Sequence, residues 1–351
     1  MKDYHEILEI INGKVIPERV PVCLWTIGQT YAPFAGIPDD QYYADPEKML
    51  KAQILFHEQF PDTFTVPGIF PDLGLVPELG AMGCQVEFLD YSPPHIRKSA
   101  LEDLGQVATF QTPDPRKAPY TSQVLSYLKY FKENLPKHWT EKQGYLDGHV
   151  FCGGPGEVTA LLVGYDKYSY GMVDTPELVH VLARKVTDFL KEYIDAQLEI
   201  VGPLKRAIIW DHFPGMVSEK MYKEFVHPYL KELFDHVKEA EIRVYHNENN
   251  YPHLLGTIKE INANVVHIGP KHNLAETRDR LDKCVMGNLH PVSEMLEGSD
   301  QEVVAKCQEN IKLAGPGGRY LLSTGGGMAP ETPSERMRLV IETANQTDFR
   351  G

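Results

Sequence analysis

Short runs of β-branched and aromatic residues alternate along the chain with longer segments whose apolar positions recur every three or four residues. The short runs predict strands over Val20–Trp25, Thr63–Val66, His149–Cys152, Arg206–Trp210, Ile242–Tyr245, Val265–Ile268, Cys284–Gly287 and Tyr320–Ser323. Helix starts are marked between them. Asp45-Pro46-Glu47 places an acceptor at the cap and a proline where its missing N–H is not needed. Thr175-Pro176-Glu177 repeats the device before a helix reaching about Ile200, in which Val179, Leu182, Val186, Phe189 and Tyr193 form one apolar stripe. Phe225, Tyr229, Leu233 and Val237 form another after Ser218. Thr332-Pro333-Ser334-Glu335 reads as a capping box opening the last helix, and Pro136–Gly144 as an exposed linker. Strands and helices in this alternation favour an α/β fold of the (β/α)8 TIM barrel type over a doubly wound sheet. One barrel domain over residues 1–351, with a short N-terminal extension, accommodates them all.

Charge narrows the function. With 49 acidic against 35 basic side chains the net charge is −14, and no Lys-Arg cluster exceeds two residues. Neither nucleic-acid backbones nor anionic membranes are expected partners, because both require a basic face. No apolar run approaches the length of a membrane span, and acidic residues interrupt the N-terminal segment where a signal peptide would be apolar. The five cysteines are scattered without a CxxC pair, unlike a disulfide framework or zinc ribbon. A cytoplasmic protein is the expectation.

In a barrel the chemistry gathers at the C-terminal ends of the strands. Those ends offer Gln29 and Tyr31 after the first strand, Asp72 after the second, Gly153-Gly154-Pro155-Gly156 after the third and Asp211-His212 after the fourth. The fifth ends in His246-Asn247-Glu248, the sixth contains His267, the seventh leads to Asn288 and His290, and Ser323-Thr324-Gly325-Gly326-Gly327 follows the eighth. His246 and Glu248, two apart on an extended segment, share a face, so a ring nitrogen and a carboxylate oxygen can hold one zinc ion with a position left open for substrate. The third ligand is not identifiable. Asp211-His212 offers an acid-base pair or a further ligand; adjacent strand residues point oppositely, so one serves the site and the other the scaffold, and Asp211 is the stronger functional candidate. His267, Asn288 and His290 have polar packing as the competing reading. Neither glycine cluster carries the lysine and hydroxyl of a phosphate loop, so both are read as places of close backbone approach.

GNLHP followed by VSEMLEGSDQEV and STGGGMAPETPSERMRLVIE resembles the C-terminal third of the uroporphyrinogen decarboxylase superfamily. FPDLGLVPELGAMGCQVEF, GGPGEVTALLVG and MVSEKMYKEFVHPYLKELFDHV extend the resemblance in order over nearly the whole chain. It implies a (β/α)8 barrel and one of two chemistries. The decarboxylase branch clamps a polycarboxylate with an arginine-bearing signature, yet ERVPVCLWTIGQTYAPFAG has no arginine after Arg19. Asp72 falls near that branch's catalytic aspartate. The cobalamin-dependent methyltransferase branch resembles the chain better. Its thiol-methylating zinc enzymes carry His-x-Cys and a later cysteine, where this chain has His246-Asn247-Glu248 and Gly326. The resemblance therefore implies an O-demethylase component that passes a methyl group from a small methylated substrate, an aryl ether, to the cobalt(I) of a separate corrinoid protein. Zinc would be held by His246 and Glu248, catalytic protons by Asp211, Asp72 or His290, and substrate by Gln29, Tyr31, His212, His267 and Asn288. A porphyrinogen decarboxylase and a non-catalytic tetrapyrrole binder are the alternatives.

Overall fold

The computed structural model describes residues 3–350. It contains the strands β1 (Cys23–Trp25), β2 (Phe64–Val66), β3 (Gln85–Leu89), β4 (Ser92–Lys98), β5 (His149–Gly153), β6 (Arg206–Trp210), β7 (Ile242–Asn247), β8 (Val265–Ile268), β9 (Cys284–Leu289) and β10 (Tyr320–Thr324). Each strand predicted from the sequence appears among them, and several run one or two residues further at the C-terminal end. Strands β5 to β10 form one parallel sheet in the order β10-β9-β8-β7-β6-β5, and β1 pairs in parallel with β2. A parallel bridge from Val22 to Leu322 joins β1 to β10. The result is a TIM barrel with eight parallel strands.

The two sides of each strand explain the ring. Cys23, Trp25, Phe64, Val66, Ile208, Ile242, Val244, Val265, Cys284, Met286 and Leu321 pack together inside the barrel with Tyr4, Ile7, Ile10 and Ile11 of the N-terminal helix. Alternate residues, among them Leu24, Ile209, Tyr245, Val266 and Leu322, pack outward against the surrounding helices. Because strand side chains alternate, both faces must be apolar in a barrel wrapped by helices. Arg206, at the start of β6, is completely buried and lies over the rings of Tyr4, Phe64 and Tyr145 at 4.8–5.7 Å. Between β2 and β5 side chains join what the ladders do not. Glu78 accepts the Gly153 N–H at 2.8 Å, and the Gln53 amide bonds both backbone groups of Phe70.

Two local expectations need correction. Residues 137–143 of the expected linker form a helix, because Trp139 and Gln143 are buried against the body. The last helix, Ser334–Gln346, has no side-chain cap; the Thr332 hydroxyl instead donates to the Ala329 carbonyl at 2.7 Å. The long helix Pro176–Val201 carries its predicted stripe on the buried face. The antiparallel hairpin β3–β4 was not apparent in the sequence. No helix among the described residues is long and apolar enough to cross a membrane.

Candidate active site at the barrel mouth

Strand parity carries the site. On β7, Ile242 and Val244 face the barrel interior, and the same alternation brings His246 inward at its C-terminal end. On β6 the series Arg206, Ile208 and Trp210 continues to His212. The register pairs Trp210 with His246 and His246 with His267, so these rings stand side by side.

His212, His246 and Glu248 converge: their nitrogen and carboxylate oxygen atoms all lie within 4.8 Å of one another. The Nε2 of His212 is buried and has no hydrogen-bond partner. An unpartnered ring nitrogen beside a second imidazole and a carboxylate fits a metal ion that supplies the missing partner. Burial drives the imidazoles toward the neutral form that binds metals. His212 is pushed down to about 4, and His246 falls well below the ordinary histidine value through burial and the neighbouring His267 and His212. Glu248, exposed at the mouth, shifts upward because the surrounding wall partly desolvates its carboxyl, while a backbone hydrogen bond from Gly327 opposes the rise. The Trp25 indole stacks on His246 with centroids 4.1 Å apart and planes at 18°.

The triad opens into a cavity of about 550 Å³. Trp25, Ile27, Phe151 and Trp210 provide much of its apolar wall, with Gln29, Asp72, Asn249, Lys271 and His290 contributing polar groups. The Gln29 amide donates to the Met328 carbonyl at 2.7 Å, which fixes it on the wall. Asp72 is buried and accepts the backbone N–H groups of Gly28 and, at 2.6 Å, Gly74. Burial raises its pKa and those N–H groups oppose the rise. His290 stands exposed at the rim, its Nδ1 accepting the N–H groups of Val292 and Ser293 at 3.2 Å.

Asp211 takes the scaffold role and His212 the cavity, the reverse of the preference drawn from sequence. The Asp211 carboxylate accepts Gly156 N–H at 2.9 Å and Glu157 N–H at 2.8 Å, anchoring the start of helix Pro155–Val163. The Glu157 carboxylate in turn accepts the Tyr165 hydroxyl. A Cβ on Gly154 would overlap Asp211, so GGPGE is the close approach that the glycines suggested. Tyr31 also lies outside the cavity: it is buried, and its hydroxyl is 2.6 Å from that of Thr26. Asn288 is buried with its amide donating to the Gly269 and His272 carbonyls. His267 lies beneath His246 and does not line the cavity. Trp25 was missed, although inward parity at the end of β1 was the signal for it.

The model of the uroporphyrinogen decarboxylase (URO-D) family matches residues 3–347. A uroporphyrinogen decarboxylase of Nostoc punctiforme is 25% identical over 298 residues, covering 82% of this chain and 80% of its own. One from Thermus thermophilus is 26% identical over 272 residues, 75% of each chain. Among solved structures, a methyltransferase from Methanosarcina mazei superposes with a TM-score of 0.80 at 19% identity, covering 99% of both chains. A B12-independent methionine synthase from a Shewanella species gives 0.55 at 10% identity over 94% of this chain and 96% of that one. At these identities the two structures speak to the fold alone.

Proposed function

This chain belongs to the uroporphyrinogen decarboxylase family, and from that premise we propose that it is a methyltransferase moving a methyl group from an aryl methyl ether to the cobalt(I) of a separate corrinoid protein. The observation that carries the reading is the donor set His212, His246 and Glu248, two nitrogens and an oxygen with no sulfur, at the mouth of an open cavity. Nitrogen and oxygen ligands leave zinc a harder acid than thiolates do, and so better matched to an oxygen leaving group than to a thiol. When bound, zinc supplies Lewis acidity toward the ether oxygen.

The chain's own residues supply the remainder. Trp25, Trp210 and Phe151 offer aromatic faces for a flat ring and keep water from it. In the transfer the methyl–oxygen bond breaks and the methyl–cobalt bond forms; the metal rises from cobalt(I) to cobalt(III), and the phenolate takes up a proton. Asp72, whose burial favours the protonated form, stands in the cavity wall to hold that proton, with His290 at the rim as the solvent-side relay. Lys271 is the only lysine or arginine in the cavity lining among the described residues, and Arg19 instead donates to the Asn345 carbonyl. A porphyrinogen octacarboxylate would meet one cation and two carboxylates here, which weighs against decarboxylation.

The test mixes the protein with a cobalt(I) corrinoid protein and, separately, a panel of methoxyphenols and methylated thiols. Methylcobalt absorbance should appear with the ethers alone; turnover with thioethers alone would refute the reading. Zinc content should be stoichiometric in wild type and fall at least tenfold in His212→Ala, His246→Ala and Glu248→Ala. Equal zinc in all four would remove the triad from the mechanism.

A further inference from the structure

We infer that His267 is a positioning residue that dictates which nitrogen of His246 carries hydrogen, and thereby presents the other to the cavity. The inference builds on the reading of His246 as a ligand, but its central observable does not require any metal.

The argument starts from the one group whose role cannot vary. The Thr324 carbonyl oxygen can only accept, and it lies 2.7 Å from Nε2 of His267. That nitrogen must therefore carry the hydrogen. His267 is 1% exposed, and burial at this depth leaves its ring a single hydrogen. Its Nδ1 is then a bare lone pair. The atom facing it, at 2.7 Å, is Nδ1 of His246. Two lone pairs at that separation repel, so His246 carries its hydrogen on Nδ1 and donates it to His267. The remaining atom, Nε2 of His246, is left with a lone pair for an ion shared with His212 and Glu248.

The backbone enforces the relay. His246 and His267 are register partners on β7 and β8, and Thr324 ends β10. Trp25 covers both rings, with centroids at 4.1 Å from His246 and 4.8 Å from His267, and packs them against one another with their planes 30° apart. An isolated imidazole in water prefers hydrogen on Nε2, so without the relay a large share of His246 would point a hydrogen at the metal position.

Long-range proton–nitrogen NMR on protein labelled with ¹⁵N-histidine reads the tautomers directly. In the metal-free wild type His246 should show the Nδ1–H form and His267 the Nε2–H form. His267→Leu should return His246 toward a mixture dominated by Nε2–H and weaken zinc binding 10- to 100-fold. His267→Gln, whose amide can donate to Thr324 and accept from His246, should restore the Nδ1–H form and recover most of that affinity. An Nε2–H tautomer for His246 in wild type, or an unchanged tautomer in His267→Leu, would overturn the inference. Should His267→Leu not fold, the wild-type tautomers and His267→Gln still decide it. A protein with the expected tautomers that takes no zinc, or transfers no methyl group, would refute the proposed function and leave the relay standing.

Discussion

The carboxylate of Glu248 fills the space that a Cβ on residue 326 would occupy. Glycine at this position thus leaves room for the carboxylate of the proposed metal site without contributing an atom to it. Gly326 also adopts φ of +154°, which side-chain-bearing residues rarely take.

Gly326→Ala should therefore displace Glu248 and lower zinc affinity at least tenfold. The double variant Glu248→Cys with Gly326→Cys removes the overlap, though not the backbone strain, and should regain part of the binding with sulfur ligation. Cobalt-substituted protein reports this as an intense charge-transfer band in the near ultraviolet. Full zinc affinity in Gly326→Ala would show that the carboxylate is free to move.

Asp211 is expected to act on structure. Asp211→Asn exchanges an acceptor for a donor facing the Gly156 and Glu157 N–H groups, costing about 1–3 kcal/mol of stability. It should also weaken zinc binding, since the same clamp holds the segment bearing His212. Methyl transfer should recover when excess zinc is supplied. A hundredfold loss of turnover at full zinc occupancy and unchanged melting temperature would make Asp211 the proton donor instead.

Stability should carry the signature of Glu78. Burial pushes its pKa up to about 7, against an ordinary value of 4.5, while the Gly153 N–H partly offsets the rise. As pH rises from 4.5 to about 7 the unfolded chain gives up this proton and the native chain keeps it, so stability is lost across that window and stays lower above it. Glu78→Gln retains an acceptor and cannot ionise. Urea unfolding should show it more stable than wild type by on the order of 1–3 kcal/mol at pH 8, with the gain vanishing near pH 4.5. An equal difference at both pH values would place the effect elsewhere.

Uroporphyrinogen should not be decarboxylated. With Lys271 the sole lysine or arginine among the described lining residues, release of carbon dioxide should remain at the background rate, with or without zinc. Turnover above background would return the protein to the chemistry of its relatives by sequence.

The barrel was legible in the sequence because it rests on local physics. Apolar runs such as Arg206–Trp210 and Val265–Ile268 need only strand propensity and burial on both faces, and the Asp45 cap acts within a few residues. His246 and Glu248 were legible as a pair because two residues on an extended strand share a face whatever surrounds them. Asp211 against His212 needed one step more, the inward parity running from Arg206 through Trp210, and that parity is decided only when the barrel closes. The rest lay in contacts between distant segments. Trp25 meets His246 across 221 positions, His267 meets Thr324 across 57, and Asp211 meets Gly156 across 55. No local spacing encodes such pairs. They arise because parallel strands remote in sequence are brought 4.7–4.9 Å apart in the ring, the ordinary interstrand spacing, and the chemistry at the mouth is made by neighbours that the chain order keeps apart.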